Sequence, residues 1–336
     1  MIKKIFVILL FCFSMFYYSQ KAINIAFYNC ENFFDTVDNP NSNDNEFLPT
    51  AETKWDKTKY LNKIKKTAQV FDSTVLGTGL PDVMGLCEIE NKTVLIDLIK
   101  LSQLKLRNYK ALASTGIDER GINVGFIYDE TLFEFISSEE INATNFAIEN
   151  YKTRNILHVQ LKHKATQELF SFFVNHWPSR RDGEKVTEPK RLFAAQQLKN
   201  KINEIEKINN KIKIVLMGDF NDMPNNKSIS QLLNAKSKIT KADELLNPFI
   251  EIALNGKGTH SHKGEWQVFD QIILNKNCVT GKQLTFKSGN AFVLDKSFVL
   301  FKNFKTGEVK PNRTYGFGNK YYNGYSDHLA VYLILN

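Results

Sequence analysis

The chain has 336 residues, 43% of them apolar, with only 8 Pro and 17 Gly; this is the vocabulary of one large or two small folded domains and excludes disorder, collagen and coiled coil. Lys and Arg number 44 against 36 Asp and Glu, a formal charge of +8, and setting aside Lys3 and Lys4 as part of a leader leaves 42 against 36, or +6. Such an excess favours solubility and an anionic ligand without identifying one.

At the N-terminus, two lysines precede an apolar run from Ile5 to Phe16, too short to span a bilayer but suited to the core of a signal peptide. The expected plan is a signal peptide over residues 1–20, cleaved near Ser19 to Lys21, and one domain over 21–336, exported to the periplasm or beyond. Cys12 lacks the small residues that precede a lipoprotein cysteine. Cys30, Cys87 and Cys278 remain, an odd number that cannot be fully paired within the chain. Cys30 and Cys87 sit in apolar runs, where cysteine behaves as a small buried hydrophobe.

Apolar runs rich in β-formers recur at Ile23–Tyr28, Val83–Cys87, Val124–Tyr128, Ile156–Leu161, Leu169–Asn175, Ile212–Met217, Phe269–Leu274 and Leu329–Leu335, and these predict strands. Helical spacing appears in Trp55–Phe71, through Tyr60, Ile64, Ala68 and Phe71, and in Lys190–Ile208, through Leu192, Ala195, Leu198, Ile202 and Ile205. The alternation of Leu157, Val159 and Leu161 with polar neighbours predicts strands half exposed to a covering layer, in mixed or antiparallel sheets. Asp35–Pro49 reads as a solvated polar loop. Tyr315–Tyr325, YGFGNKYYNGY, reads as an aromatic loop over one face.

Polar residues mark the places where these strands stop or begin, which is how a fold gathers distant groups at one mouth. Asn29 closes INIAFYN, Glu88 closes DVMGLCE, Asp219 and Asn221 follow VLMG, Asp270 lies in WQVFDQIIL, and Asp327 with His328 precede the last strand. Their oxygens suit a hard divalent cation such as Mg²⁺, and no Cys/His cluster has zinc-like spacing. His176 and His328 lie in polar strand-end settings, with Asp270 available to orient an imidazole for proton transfer. His158, His163, His260 and His262 have no such neighbourhood and are expected to be structural or superficial. Arg180 and Arg181, crowded after His176 with Lys185, Lys190 and Arg191, and Arg120 before the Gly121–Tyr128 run are expected to bind phosphate through their forked guanidinium groups.

The order Asn29, Glu88, His176, Asp219-x-Asn221, Asp270, Asp327-His328 resembles the endonuclease/exonuclease/phosphatase superfamily, which includes the DNase I-like nucleases. The similarity runs from Ile23 to the C-terminus, and GDFN with SDH, after the NxEN and LxE strands, is a specific combination. The resemblance implies an α+β fold, a four-layered sandwich of two mixed β-sheets with helices outside. It also implies Mg²⁺- or Mn²⁺-dependent hydrolysis of phosphodiester or phosphomonoester bonds. Glu88 would be the principal metal ligand, with Asn29 beside it and Asp327 opposite. Asp219 and Asn221 would position the attacking water and a phosphate oxygen. His328, held by Asp270, and His176 would be the proton-transfer groups, their division into base and acid left open. The carboxylate that pairs with the first histidine in DNase I-like enzymes has Glu119 as its nearest equivalent. The HWPSRR form and the leader point to an exported endonuclease on DNA or RNA, a monomer with no integral membrane association and no stable protein partner. A phosphatase or a phospholipid or sugar-phosphate phosphodiesterase is the alternative on the same scaffold, and a non-catalytic binding protein would be expected to have lost one of these groups.

Overall fold

The computed structural model describes residues 22–75, 79–148, 151–316 and 320–336. The expected signal peptide and Cys12 lie outside them. In chain order, the first half comprises β1 (Ile23–Phe33), α1 (Lys57–Asp72), β2 (Val83–Ile89), α2 (Lys92–Lys100), β3 (Tyr109–Ala113), β4 (Asn123–Asp129), β5 (Phe133–Ile141) and β6 (Ile156–His163). The middle comprises β7 (Leu169–His176), α3 (Glu184–Ile208), β8 (Lys213–Asp219), β9 (Ala235–Lys236), β10 (Leu245–Leu246) and α4 (Phe249–Leu254). There follow β11 (His260–His262), β12 (Glu265–Gln267), β13 (Asp270–Leu274), α5 (Asn277–Thr280), β14 (Phe286–Val293), β15 (Leu300–Lys302), β16 (Val309–Pro311) and β17 (Val331–Leu335).

Two mixed sheets result, one ordered β14-β17-β1-β2-β4-β3 and the other β5-β6-β7-β8-β13-β10-β9, so the α+β sandwich expected from the sequence is the fold. Pairing is parallel at β1/β2 and β7/β8 and antiparallel across most other seams. The sheets face each other through β1, β2 and β4 on one side and β7 and β8 on the other. The approach is close: a Cβ on Gly85 would stand 2.4 Å from Met217 Sδ of the opposite sheet.

Helices close the outer faces because each carries an apolar stripe that burial removes from water, at roughly 1.5–3 kcal/mol per large side chain. In α1, capped by Asp56 accepting from Lys59 N, the stripe is Tyr60, Ile64, Ala68 and Phe71, as the spacing predicts. In α3 it is Ala194, Ala195, Leu198, Ile202 and Ile205, packed on Phe173, Ile214 and Leu216. Leu192, expected in that stripe, is only partly buried; Arg191 takes the inner place because its Nε pairs with Asp222 Oδ1 at 2.7 Å. The covering layer expected over β6 is found at His158, which stacks on Phe173, ring centroids 4.4 Å apart, beneath Lys201 of α3 and Glu139 of β5, while Gln160 and Lys162 on the same side stay partly exposed. The three free cysteines Cys30, Cys87 and Cys278 are buried.

The polar loop after β1 folds back through stacked Phe34 and Phe47 and buried Trp55. The described part of the aromatic loop is held to α1, where Lys63 Nζ donates to Thr314 Oγ1 (2.7 Å) and Tyr325 O (2.8 Å). Among the described residues, no helix is long and apolar enough to cross a membrane.

Candidate active site

Strand ends of both sheets converge on an open polar cavity of roughly 840 Å³. Glu88, His176, Asp219, Asn221, Asp327 and His328 line it, together with Arg120, Arg180 and Arg181. Gly218 sets one part of this floor: a Cβ there would lie 2.5 Å from Asn175 O, so only glycine lets β7 and β8 bring His176 and Asp219 into register.

The backbone departs from regular pairing at the same place. The β1/β2 register shifts after Asn29, and Glu31, Asn32, Glu88 and Asn221 all hold positive φ (48°, 54°, 55° and 49°). Bulges and left-handed residues re-aim side chains at strand ends. Glu88 is turned by this device so that Oε2 accepts from Asn32 N (3.0 Å) while Oε1 faces His176 Nε2 at 3.9 Å.

Asp219 is the hub. Its Oδ1 accepts from Asn221 N (2.9 Å) and its Oδ2 from Asn29 Nδ2 (3.0 Å); the same Oδ2 lies 3.7 Å from His176 Nε2 and 3.8 Å from His328 Nε2. Burial pushes the Asp219 carboxyl up to about 7, with His328 opposing and Asp270 adding to the rise. His328 Nδ1 meets Asp270 Oδ2 at 2.7 Å. Burial alone would push His328 down, but Asp270 and Asp219 carry it well above the usual histidine value. His176 goes the other way, held well below by burial and by Arg154, Arg120 and His328. The two imidazoles that flank Asp219 therefore favour opposite charge states.

Several expected residues occupy different positions from those the sequence suggested. Asn29 is 1% exposed and lies beneath the cavity, its Oδ1 accepting from Glu31 N (3.0 Å) while its amide steadies Asp219. Arg180 is not free for phosphate: Nε donates to Asn221 O (2.7 Å), Nη2 to Asp222 Oδ1 (2.9 Å), and Nη1 pairs with Glu184. It ties the GDFND turn to α3. Arg181 is exposed on the rim, and Arg120 is held only loosely by Asp118 at 3.8 Å. Glu119 lines the cavity but makes no bond to His176, whose buried Nδ1 has no partner among the described residues. Asn221 donates from Nδ2 to Trp177 O (2.9 Å).

Three residues were not anticipated. Arg154, 6% exposed, stands over His176, donating to Trp177 O (2.8 Å) and Asp118 Oδ2 (3.1 Å). Its place just before the β6 run was a signal of the same strand-end kind. Glu31, pushed up to about 7 by burial and Asp327, accepts from Thr314 N (2.6 Å) and Arg313 Nε (3.2 Å). Arg313 in turn reaches Asp327 Oδ2 at 3.4 Å. His260, expected to be structural or superficial, lies in the cavity wall, bridged to His328 through the backbone, its ring 4.7 Å from that of His328.

Glu88 and Asp327 offer the cavity carboxylate oxygens, the donor type of a hard divalent cation, so the residues present fit Mg²⁺ or Mn²⁺.

The endonuclease/exonuclease/phosphatase family model matches residues 24–336. The chain is 25% identical to Protein angel of Drosophila melanogaster over 204 residues, covering 57% of this chain and 54% of that protein, so it spans about half the length of that relative. Among solved structures, an endonuclease/exonuclease/phosphatase family protein from Bacteroides thetaiotaomicron superposes with a TM-score of 0.58 at 14% identity, covering 94% of this chain and 98% of that one. The human Nocturnin catalytic domain gives 0.52 at 16% identity, covering 94% of each chain. TDP2 from D. rerio, solved with a single-strand DNA product, gives 0.55 at 14%, covering 94% and 99%.

Proposed function

The chain belongs to the endonuclease/exonuclease/phosphatase family of phosphoester hydrolases, which generally use divalent metals, and from that premise we propose that it is an exported Mg²⁺- or Mn²⁺-dependent phosphodiesterase acting on nucleic acid. The observation that carries the chemistry is Asp219 Oδ2 set between His176 Nε2 and His328 Nε2 at 3.7 and 3.8 Å, on the floor of a cavity with Glu88 and Asp327 in its walls.

When bound, the metal neutralises charge on the phosphate and polarises it. Glu88 and Asp327 would hold it. Asp219, fixed by Asn29 and Asn221, orients water for attack on phosphorus; the new P–O bond forms as the ester P–O bond breaks. His176, favouring the neutral form, would meet a phosphate oxygen through Nε2, the nitrogen that faces Glu88 and Asp219, with Arg154 bonded to Asp118 and Trp177 O beside it. Asp270 fixes the ring of His328 so that Nε2 points at Asp219 and exchanges a proton there. Preference for nucleic acid is supported by the exposed Arg120, Arg181 and Lys152 on the wall beyond His176, which favour a continuing polyanion.

Mg²⁺-dependent hydrolysis measured side by side on DNA, RNA, a phosphomonoester and phospholipid vesicles tests the substrate class. Cleavage confined to the monoester or the lipid contradicts it. Export rests on the Lys3/Lys4 and Ile5–Phe16 pattern; intact mass of protein recovered from the exporting host should show loss of residues 1–20, and a soluble species retaining them contradicts it.

A further inference from the structure

His260 is a cavity residue that the hydrolytic arrangement leaves unused. It opens β11, and the preceding Thr259 accepts from Leu329 N at its O (2.7 Å) and from Phe269 N and Asp270 N at its Oγ1 (both 3.1 Å). The hairpin is thus pinned across the Asp270–His328 pair. Its imidazole is sandwiched between the His328 ring at 4.7 Å and the Phe269 ring at 5.6 Å. Buried Nδ1 of His260 has no hydrogen-bond partner among the described residues. A buried imidazole nitrogen left without a partner costs free energy unless something absent satisfies it.

What could satisfy it is defined by its neighbours. One nitrogen of His260, one oxygen of Asp327 and one nitrogen of His328 lie within 4.8 Å of one another. Ligands of a tetrahedral zinc ion stand about 3.4 Å apart, given Zn–N and Zn–O distances of about 2.0–2.2 Å, so small side-chain rotations close the set. Two imidazoles and one carboxylate are borderline donors that select Zn²⁺ over Mg²⁺, which wants oxygens.

We infer that His260, Asp327 and His328 form a Zn²⁺ site that overlaps the hydrolytic centre, so that Zn²⁺ binding withdraws His328 and Asp327 and inhibits the Mg²⁺-supported reaction. The inhibitory part rests on the function proposed above; the binding part does not. The three side chains supply three ligands to Zn²⁺ and leave a fourth position open to water.

The test measures Zn²⁺ binding to the full chain, stripped of divalent metal, by competition with a chromogenic chelator, with Co²⁺ substitution to report nitrogen ligation by its visible absorption. Wild type should bind one Zn²⁺ here. His260→Phe, which keeps the ring stack, and His260→Gln should each bind it more weakly by roughly tenfold or more, the scale of losing a metal-site group. Glu88→Gln should keep the Zn²⁺ affinity. In the presence of Mg²⁺, added Zn²⁺ should slow wild type and spare His260→Phe. Equal Zn²⁺ affinity in wild type and both His260 variants, or Zn²⁺ binding lost in Glu88→Gln instead, overturns the site. A chain that binds Zn²⁺ through His260 but shows no Mg²⁺-dependent turnover supports the site and contradicts the proposed hydrolysis.

Discussion

The Nδ1 atom of His328 lies 2.7 Å from Asp270 Oδ2, joining the loop before β17 to the first residue of β13 across 58 positions of chain, with Asp270 fully buried. A carboxylate that close fixes the ring plane and the tautomer. His328→Ala should therefore lower turnover by roughly a hundredfold or more with little change in apparent substrate affinity, and Asp270→Asn should act in the same direction but more mildly. Steady-state kinetics on a defined DNA duplex separates turnover from affinity. Equal or greater loss in Asp270→Asn would mean that Asp270 does more than orient the ring.

Asp222 should prove a stability residue. Its carboxylate receives Arg180 Nη2 (2.9 Å), Arg191 Nε (2.7 Å) and Ser228 Oγ (2.5 Å), and Arg191 is fully buried. Removing one member of such a cluster leaves uncompensated charge, so Asp222→Ala should cost about 3–5 kcal/mol. Chemical denaturation measures this. Arg180→Ala should lower stability and disturb the Asn221 turn, whereas exposed Arg181→Ala should leave stability unchanged and weaken DNA binding, with a deficit that shrinks at high salt.

These contrasts show what the sequence could and could not disclose. Asp270, His328, Asp219, Asn221 and Glu88 were legible because each ends or begins an apolar run, and strand ends are where a sheet fold presents polar groups. Arg180 was misread because local crowding cannot reveal that its partner, Asp222, waits 42 positions away. His260 was passed over because its significance is wholly tertiary: it exists only once β11 bridges to His328. Strand β5, FEFISSEEI, escaped notice because it is an exposed sheet edge with no buried alternation to mark it.

Gly218 should tolerate no side chain. The obstacle to a Cβ is the backbone carbonyl of Asn175 at 2.5 Å, which cannot rotate away. Gly218→Ala should lower the melting temperature and also reduce turnover, because β7 and β8 must part to admit the methyl. A thermal scan and a kinetic assay on the same sample check both effects; an Ala variant equal to wild type in each would contradict the close approach.

Acid should destabilise the protein through His158. Burial holds this ring below the usual histidine value despite Glu139, and buried His163 is held below it as well. The folded state thus favours the neutral rings, so the stability they contribute is present above the unfolded pKa, about 6.5, and is lost as pH falls through and below it. Melting temperature measured between pH 7 and pH 5 should fall more steeply in wild type than in His158→Gln. Parallel profiles would contradict this.

On the proposed function, Glu88 serves a divalent cation at the site where Asp219 and two histidines hydrolyse phosphate esters. The most direct test is the Mg²⁺ dependence of hydrolysis of a DNA duplex by wild type and Glu88→Gln, both confirmed as folded by thermal melting. Wild type should be inactive in chelator and restored by Mg²⁺ or Mn²⁺, and Glu88→Gln should need far more Mg²⁺ and stay slower at saturation. Full activity of Glu88→Gln at limiting Mg²⁺, or undiminished wild-type cleavage in chelator, would contradict that reading.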